Sequence, residues 1–156
     1  MDPVGSSANY YKECNGIWIE LKPGDHIVFS VWIKTTASTI GDNSPQSGGR
    51  IGIDFYGSQG GISPIITPDG NPNSGDDDNT YVHWGTNTWT KMTMDFTVAP
   101  KYQYIYGSTG STGQYPDGAM VTPTAIIPWM QVWSGPHGAA DNGVVWFADP
   151  VLYINP

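Results

Sequence analysis

The sequence predicts an all-β protein, an antiparallel β-sandwich built from two sheets. Its 156 residues include 20 glycines and 13 prolines, and only 13% are charged. This composition disfavours helices and favours strands separated by turns. Several segments alternate apolar and polar residues, as strands with one buried face do. No segment repeats apolar residues at helical spacing between caps.

The chain length suits a single domain with a true core. Residues 1–15 form a polar, turn-rich N-terminal segment, in which Tyr10–Tyr11 predicts a short edge strand. Residues 16–156 form the sandwich domain. The N-terminal segment does not have the pattern of a signal peptide, and we expect the sequence to be one module of a longer secreted protein.

The segment Gly16 to Thr35 predicts two strands joined into a hairpin by a turn at Pro23 and Gly24. Proline presets the first central φ of such a turn, and glycine accepts the positive φ of the second. Alternation gives these strands one aliphatic and Phe face, which we assign to the core. That face comprises Ile17, Ile19, Leu21, Ile27, Phe29, Val31 and Ile33.

The rest of the chain predicts four more strands between polar loops. The Val144–Asn155 strand contains Pro150, which predicts a bulge or an edge position because proline cannot donate to a ladder. The Thr88–Pro100 strand is one-sided, and its four inward residues are Met92, Met94, Phe96 and Val98. The strands are Arg50–Tyr56, Thr88–Pro100, Thr124–Trp133 and Val144–Asn155, and the loops between them are 36–49, 57–80, 101–123 and 134–143.

Charge and cysteine content exclude several classes of function. The net charge of −8 leaves no basic stripe for a nucleic acid or an anionic membrane surface. The apolar runs are too short for insertion into a bilayer. Cys14 is the only cysteine, so there is no disulfide framework. Many Trp, Tyr, Asn, Thr and Gly with few Lys are typical of a secreted, extracellular or cell-surface protein.

The opposite face of the predicted strands is the candidate binding face. Aromatic rings can cover the C–H face of a sugar, and charged or amide side chains can replace the water on its hydroxyls. The alternative is that these tryptophans pack against a loop or the other sheet. We assign Trp89 to core or edge packing. The ten candidates are Trp18, Glu20, Trp32, Lys34, Arg50, Asp54, Tyr56, Trp129, Gln131 and Trp133.

Catalysis has weak support in the sequence. Glu20 and Asp54 are candidates for the paired carboxylates of a jelly-roll polysaccharide lyase or glycoside hydrolase. Carboxylates on a binding face more often accept sugar hydroxyls or pair with cations. His26, His83 and His137 have no metal-ligand spacing, and no nucleophile elbow or phosphate loop is present. We expect no enzymatic activity.

The acidic segment 69–78 resembles the start of a calcium loop, since hard cations prefer several carboxylate and carbonyl oxygens. Gly75 is one place late for an EF-hand, and position 80 is Thr rather than Glu. The alternative is a solvated, turn-rich loop. The candidate calcium ligands of this segment are Asp69, Asn71, Asn73 and Asp77.

The order and spacing of several short motifs resemble the jelly-roll carbohydrate-binding modules of the family 4, 9 and 22 type. The resemblance covers roughly Gly16 to Pro156. It implies a jelly-roll sandwich, polysaccharide binding and a structural Ca²⁺, for which Asp149 matches the family's terminal aspartate. The matching residues are Leu21, Pro23, Gly24, Phe29, Ser30, Trp32, Lys34, Trp89, Lys91, Phe96, Thr97, Val98, Pro100, Asp149 and Val151.

One departure from the family pattern supports a second function. The family opens with a strand carrying Asn-Gly-x-Phe-Glu, and nothing in residues 1–15 matches it. A sheet that lacks a strand invites strand donation from another chain. We therefore expect a non-catalytic module that binds polysaccharide or a surface glycan. The alternative is a structural or adhesive module, such as a surface-layer, adhesin or filament subunit, that self-assembles.

Overall fold

A computed structural model of the protein describes residues 11–15, 18–36, 48–62, 65–66, 72–73, 81–83, 85–104, 115–116, 118–133 and 143–155. For residues 11–15, 60, 65–66, 72–73, 81 and 133 only the backbone is described. The described residues form strands and turns and contain no helix. The strands are β1 (Tyr11–Asn15), β2 (Ile19–Glu20), β3 (His26–Thr35), β4 (Gly48–Gly57), β5 (Gly60–Ile62), β6 (Ile65–Ile66), β7 (Pro72–Asn73), β8 (Tyr81–His83), β9 (Thr90–Thr97), β10 (Tyr102–Gln103), β11 (Met120–Val121), β12 (Ala125–Trp133) and β13 (Val145–Ile154).

Two antiparallel sheets contain the long strands. In the first, sheet A, β12 lies between β1 and β4, β2 also pairs with β12, and β5 and β8 pair with β4. In the second, sheet B, β3 lies between β13 and β9. Two short pairs, β6–β7 and β10–β11, complete the described pairings. The predicted all-β sandwich is confirmed, and the jelly-roll type stays a prediction.

The core lies between the inner faces of the two sheets. Alternate residues of β3 and β9 meet alternate residues of β4 and β12, because each strand has its apolar side chains on one side. The four inward residues predicted for the one-sided strand, from Met92 to Val98, are all buried. The principal buried apolar side chains are Ile27, Phe29, Val31, Ile33, Ile51, Ile53, Phe55, Met92, Met94, Phe96, Val98 and Ile126.

The Pro23–Gly24 turn is present, but the hairpin predicted around it is wrong. Gly24 has φ +90°, and the Asp25 N–H donates to the Lys22 carbonyl at 3.1 Å, which is the geometry of a type II turn. Turns of this type splay their flanking strands. Accordingly β2 pairs with β12 in sheet A, whereas β3 pairs with β9 and β13 in sheet B. The turn therefore carries the chain from one sheet to the other.

Both features that the sequence predicted as alternatives for Pro150, a bulge and an edge position, are present. Strand β13 is an edge of sheet B, and its register with β3 shifts between Ala148 and Val151. Asp149 adopts a left-handed φ of 49° at this bulge. The bulge places Ala148 opposite Trp32 and Val151 opposite Ser30, so that both lie on the outer face of sheet B.

The predicted loops contain short strands, and the N-terminal segment contains a longer one than expected. The edge strand predicted at Tyr10–Tyr11 is β1, which pairs along its five residues with β12. The predicted loop 57–80 contains β5, β6 and β7, and the predicted loop 101–123 contains β10 and β11. Glycine- and serine-rich segments conceal strands this short because too few residues alternate to give a signal.

A side-chain clamp joins the end of the chain to the Pro23–Gly24 turn. The Asn155 amide donates to Asp25 Oδ1 at 3.0 Å, and its Oδ1 accepts from the His26 backbone N–H at 2.9 Å. Asp25 Oδ2 also accepts from the Lys22 backbone N–H at 2.9 Å. These bonds, that from Asn155 first, lower the pKa of Asp25 from 3.8, because they favour the carboxylate.

The clamp should make folding stability sensitive to acid. A lowered pKa in the folded state stabilises the fold fully above the unfolded-state pKa, and the contribution is lost as the pH falls through the folded-state value. We expect the Asn155→Ala variant to have a lower urea midpoint than the wild type at neutral pH. The difference in urea midpoint between the variant and the wild type should narrow once the pH is well below 3.8. A gap of equal size at neutral and strongly acid pH would contradict the assignment.

Candidate functional site

Most of the predicted binding residues do share one face, the outer face of sheet A. On β4 and β12 the register pairs Arg50 with Gln131, Gly52 with Trp129, and Asp54 with Ile127. Glu20 joins this face through its pairing with Ala125, and the Trp18 ring lies 4.7 Å from that of Tyr56. Trp133 occupies the same face of β12 by its backbone position. The face gathers Trp18, Glu20, Arg50, Asp54, Tyr56, Trp129 and Gln131.

The prediction that Trp32 and Lys34 belong to this face is wrong. Both lie on β3, on the outer face of sheet B, at the opposite side of the sandwich. Alternation along a strand establishes which residues point away from the core, but it does not establish to which sheet the strand belongs. The splayed turn before β3 separates these two residues from the others.

The centre of the sheet A face is sealed rather than open. Trp129 is 3% exposed, and its side chain lies directly over Gly52, where an added Cβ would overlap the ring. The indole N–H donates to Asp54 Oδ1 at 3.0 Å. The Arg50 guanidinium lies 5.1 Å from the ring centroid, within cation–π distance, and its Nε donates to Gln131 Oε1. Arg50 and Gln131 are also buried.

This geometry gives Trp129 a structural role. A sugar ring can stack only on an aromatic face that solvent reaches, and the Trp129 indole is occupied by protein atoms. Its polar neighbours satisfy one another, as buried polar groups must. At the β2 end of the face, Trp18 remains 54% exposed, and Tyr56 is half-buried.

The contact between Trp129 and Gly52 can be tested by a double-mutant cycle. Gly52→Ala should lower the free energy of unfolding by about 1–3 kcal/mol, because a methyl group would be forced against the indole. In a Trp129→Leu background the same change should cost less than half as much, since the smaller side chain leaves room. Urea denaturation of the four proteins measures this coupling. Equal costs in the two backgrounds would show that the ring does not occupy the space above Gly52.

Exposed aromatic side chains are instead concentrated on the outer face of sheet B. Trp32 on β3 is 37% exposed, and Trp146 and Tyr153 on β13 are 41% and 57% exposed. Trp89, immediately before β9, is 46% exposed and thus at an edge rather than in the core. Ala148 and Ser30 lie beside Trp32 in the register, and such small side chains leave its ring uncovered.

The sequence prediction missed Trp146 and Tyr153. Seven positions separate them, so in a regular strand they would point to opposite faces. The bulge between Ala148 and Val151 changes the alternation, and the register places Trp146 opposite Lys34 and Tyr153 opposite Val28. Pro150 is the sequence feature that indicates this bulge, but a proline shows only that a bulge can occur, not how many residues it displaces.

Polar side chains surround these rings. Lys34 Nζ lies 5.5 Å from the centroid of the Trp146 ring, and Lys91 on β9 is directly opposite Trp32. At the other end of the face, His26 Nε2 and Asp95 Oδ1 are 2.7 Å apart. We define the aromatic face by its residues as Trp32, Trp146, Tyr153, Lys34 and Lys91.

The candidate calcium ligands are not brought together among the described residues. Asp149 is exposed at the β13 bulge, and no group of three or more His, Cys, Asp or Glu side chains suited to a metal occurs in the part of the chain that the structure describes. Of the acidic segment, only the backbones of Pro72 and Asn73 are described. Asp69, Asn71 and Asp77 lie outside the described residues, and calcium binding there stays a prediction.

The two carboxylates weighed for catalysis have different surroundings. Glu20 is exposed on β2, whereas Asp54 is half-buried on β4 and accepts the indole N–H of Trp129. Through this hydrogen bond Asp54 helps to hold the Trp129 ring in place.

Comparisons with known proteins identify no relative. No protein-family model matches the chain, and no curated protein or solved structure matches it significantly. The described residues include no helix that is long and apolar enough to cross a membrane. The functional inference therefore depends on the geometry of the two outer faces.

Proposed function

We propose that this protein is a non-catalytic carbohydrate-binding module of a secreted or cell-surface protein, and that it binds polysaccharide through the aromatic face of sheet B. The observation that carries the proposal is the exposure of Trp32, Trp146 and Tyr153 on neighbouring strands of one sheet. The resemblance to jelly-roll carbohydrate-binding modules supports the same class of ligand, although it does not indicate which face binds.

Stacking on a sugar accounts for several properties of this face. The rings present apolar area that is costly to leave in water, at roughly 25 cal/mol per Å². A pyranose C–H face covers such area without requiring hydrogen bonds from the indole. Lysine and threonine side chains beside the rings supply donors for the sugar hydroxyls. Tryptophan and tyrosine side chains have only two χ angles, so that little side-chain entropy is lost on binding.

The position of the rings suits a chain ligand better than a single sugar. Trp146 and Trp32 are diagonal neighbours on adjacent strands, and Tyr153 lies further along β13, beyond the bulge. A strand rises about 3.3 Å per residue, so the rings are spread over several residues of the sheet. Successive units of a polysaccharide would meet successive rings. An open sheet face, unlike a closed pocket, lets the ligand extend past both ends.

The second candidate is a structural or adhesive module that self-assembles through the same face. It is favoured by the exposed apolar surface itself, because contiguous patches of this kind often mark protein interfaces. Size-exclusion chromatography over a dilution series distinguishes the two functions. A concentration-dependent dimer or polymer that Trp32→Ala abolishes would favour assembly over glycan binding.

Affinity electrophoresis against a panel of soluble neutral and acidic polysaccharides tests the proposal. We expect Trp32→Ala and Trp146→Ala each to raise the dissociation constant for the polysaccharide about tenfold and so to reduce retention of the protein in the gel. A tenfold change corresponds to about 1.4 kcal/mol per lost ring. Both side chains are exposed, so the urea midpoint should stay close to that of the wild type.

Trp18→Ala is the matched control, because this indole is similarly exposed but belongs to the opposite side of the sandwich. It should leave retention unchanged. Loss of retention in Trp18→Ala, with none in Trp32→Ala or Trp146→Ala, would place the ligand on sheet A and refute the assignment of the face.

A further inference from the structure

The aromatic face carries two lysines on a strongly negative protein. Lys34 and Lys91 are two of only six lysines and arginines in a chain of net charge −8. The register places Lys34 directly opposite Trp146, and it places Lys91 directly opposite Trp32. Each lysine therefore stands beside an exposed indole.

Neither ammonium group is neutralised by a described acidic side chain. Within the described residues the ion pair on this face joins His26 to Asp95, and Asp95 lies four residues along β9 from Lys91. Asp149, at the exposed bulge after Ala148, is the nearest acidic residue on β13 and forms no ion pair with a described lysine. A lysine that pairs with no described carboxylate can offer its charge to a ligand.

We propose that the aromatic face selects anionic polysaccharides, those with a carboxylate or sulfate on their sugar units, over neutral ones. The indoles of Trp32 and Trp146 would stack on the sugar rings, and the lysines beside them would meet the anionic groups. This inference rests on the proposed function of the same face. Charge complementarity is what distinguishes the ligand, since a polyanion approaching a protein of net negative charge gains attraction only where cations gather.

The test compares glycans that differ in charge but share a backbone. Dissociation constants are measured at low ionic strength for polygalacturonate and its fully methyl-esterified form, and for dextran sulfate and dextran. We expect the charged member of at least one pair to bind about three- to tenfold more tightly, and the difference to shrink as salt screens the exposed charges. The two pairs separate carboxylate from sulfate recognition.

Two double variants assign the selectivity to the lysines. Lys34→Gln with Lys91→Gln should remove most of the preference and leave the neutral affinity close to that of the wild type. Lys22→Gln with Lys101→Gln is the matched control, because it changes the net charge equally at exposed positions outside the aromatic face. The control should keep the preference.

The possible failures are distinguishable. Equal affinity for the charged and neutral members, with both lost in Trp32→Ala, would overturn charge selection and leave the proposed function intact. Binding of poly-L-glutamate as tight as that of the anionic glycans would overturn it as well, because the face would then respond to any polyanion. Retention of no glycan at all would overturn both proposals.

Discussion

The packing of β3 against β4 is the constraint on which the rest of the structure depends. Alternate residues of these two central strands, such as Phe29 and Phe55, are buried between the sheets. Since side chains alternate, burying one set forces the other set of each strand to the outside of the sandwich. Both outer faces, and every residue considered for ligand binding, are positioned by this single choice of which residues face inward.

The two outer faces accommodate their outward-pointing tryptophans differently. On sheet A a large indole is laid over Gly52, and its N–H, the Arg50 guanidinium and the Gln131 amide are buried with partners. On sheet B the residues around Trp32 are small or flexible, and its ring stays in solvent. A buried polar network rigidifies a sheet, whereas an exposed ring costs free energy in water and invites a ligand. The same residue type is thus buried on one side of the sandwich and exposed on the other.

The sequence predicted the parts of this arrangement that depend on local pattern. The inward residues of β3, β4 and β9 follow from alternation alone, and the shared face of Arg50, Asp54 and Gln131 follows from it as well. The pairing partners of each strand do not follow from local alternation, because strands that pair can be far apart in the sequence. Pro23 itself disfavours a tight hairpin, because proline excludes the positive φ that the first position of a type I′ or II′ hairpin turn requires.

The burial of each tryptophan is a second property that alternation does not predict. Trp129 and Trp32 occupy equivalent places in their strand patterns, yet the first is 3% and the second 37% exposed. What separates them is the neighbour across the ladder, Gly52 in one case and Ala148 and Lys91 in the other. A glycine opposite a tryptophan leaves room for the ring to lie on the sheet, as Trp129 does over Gly52. The cross-strand partners, rather than the tryptophans themselves, therefore account for the different exposure of the two rings.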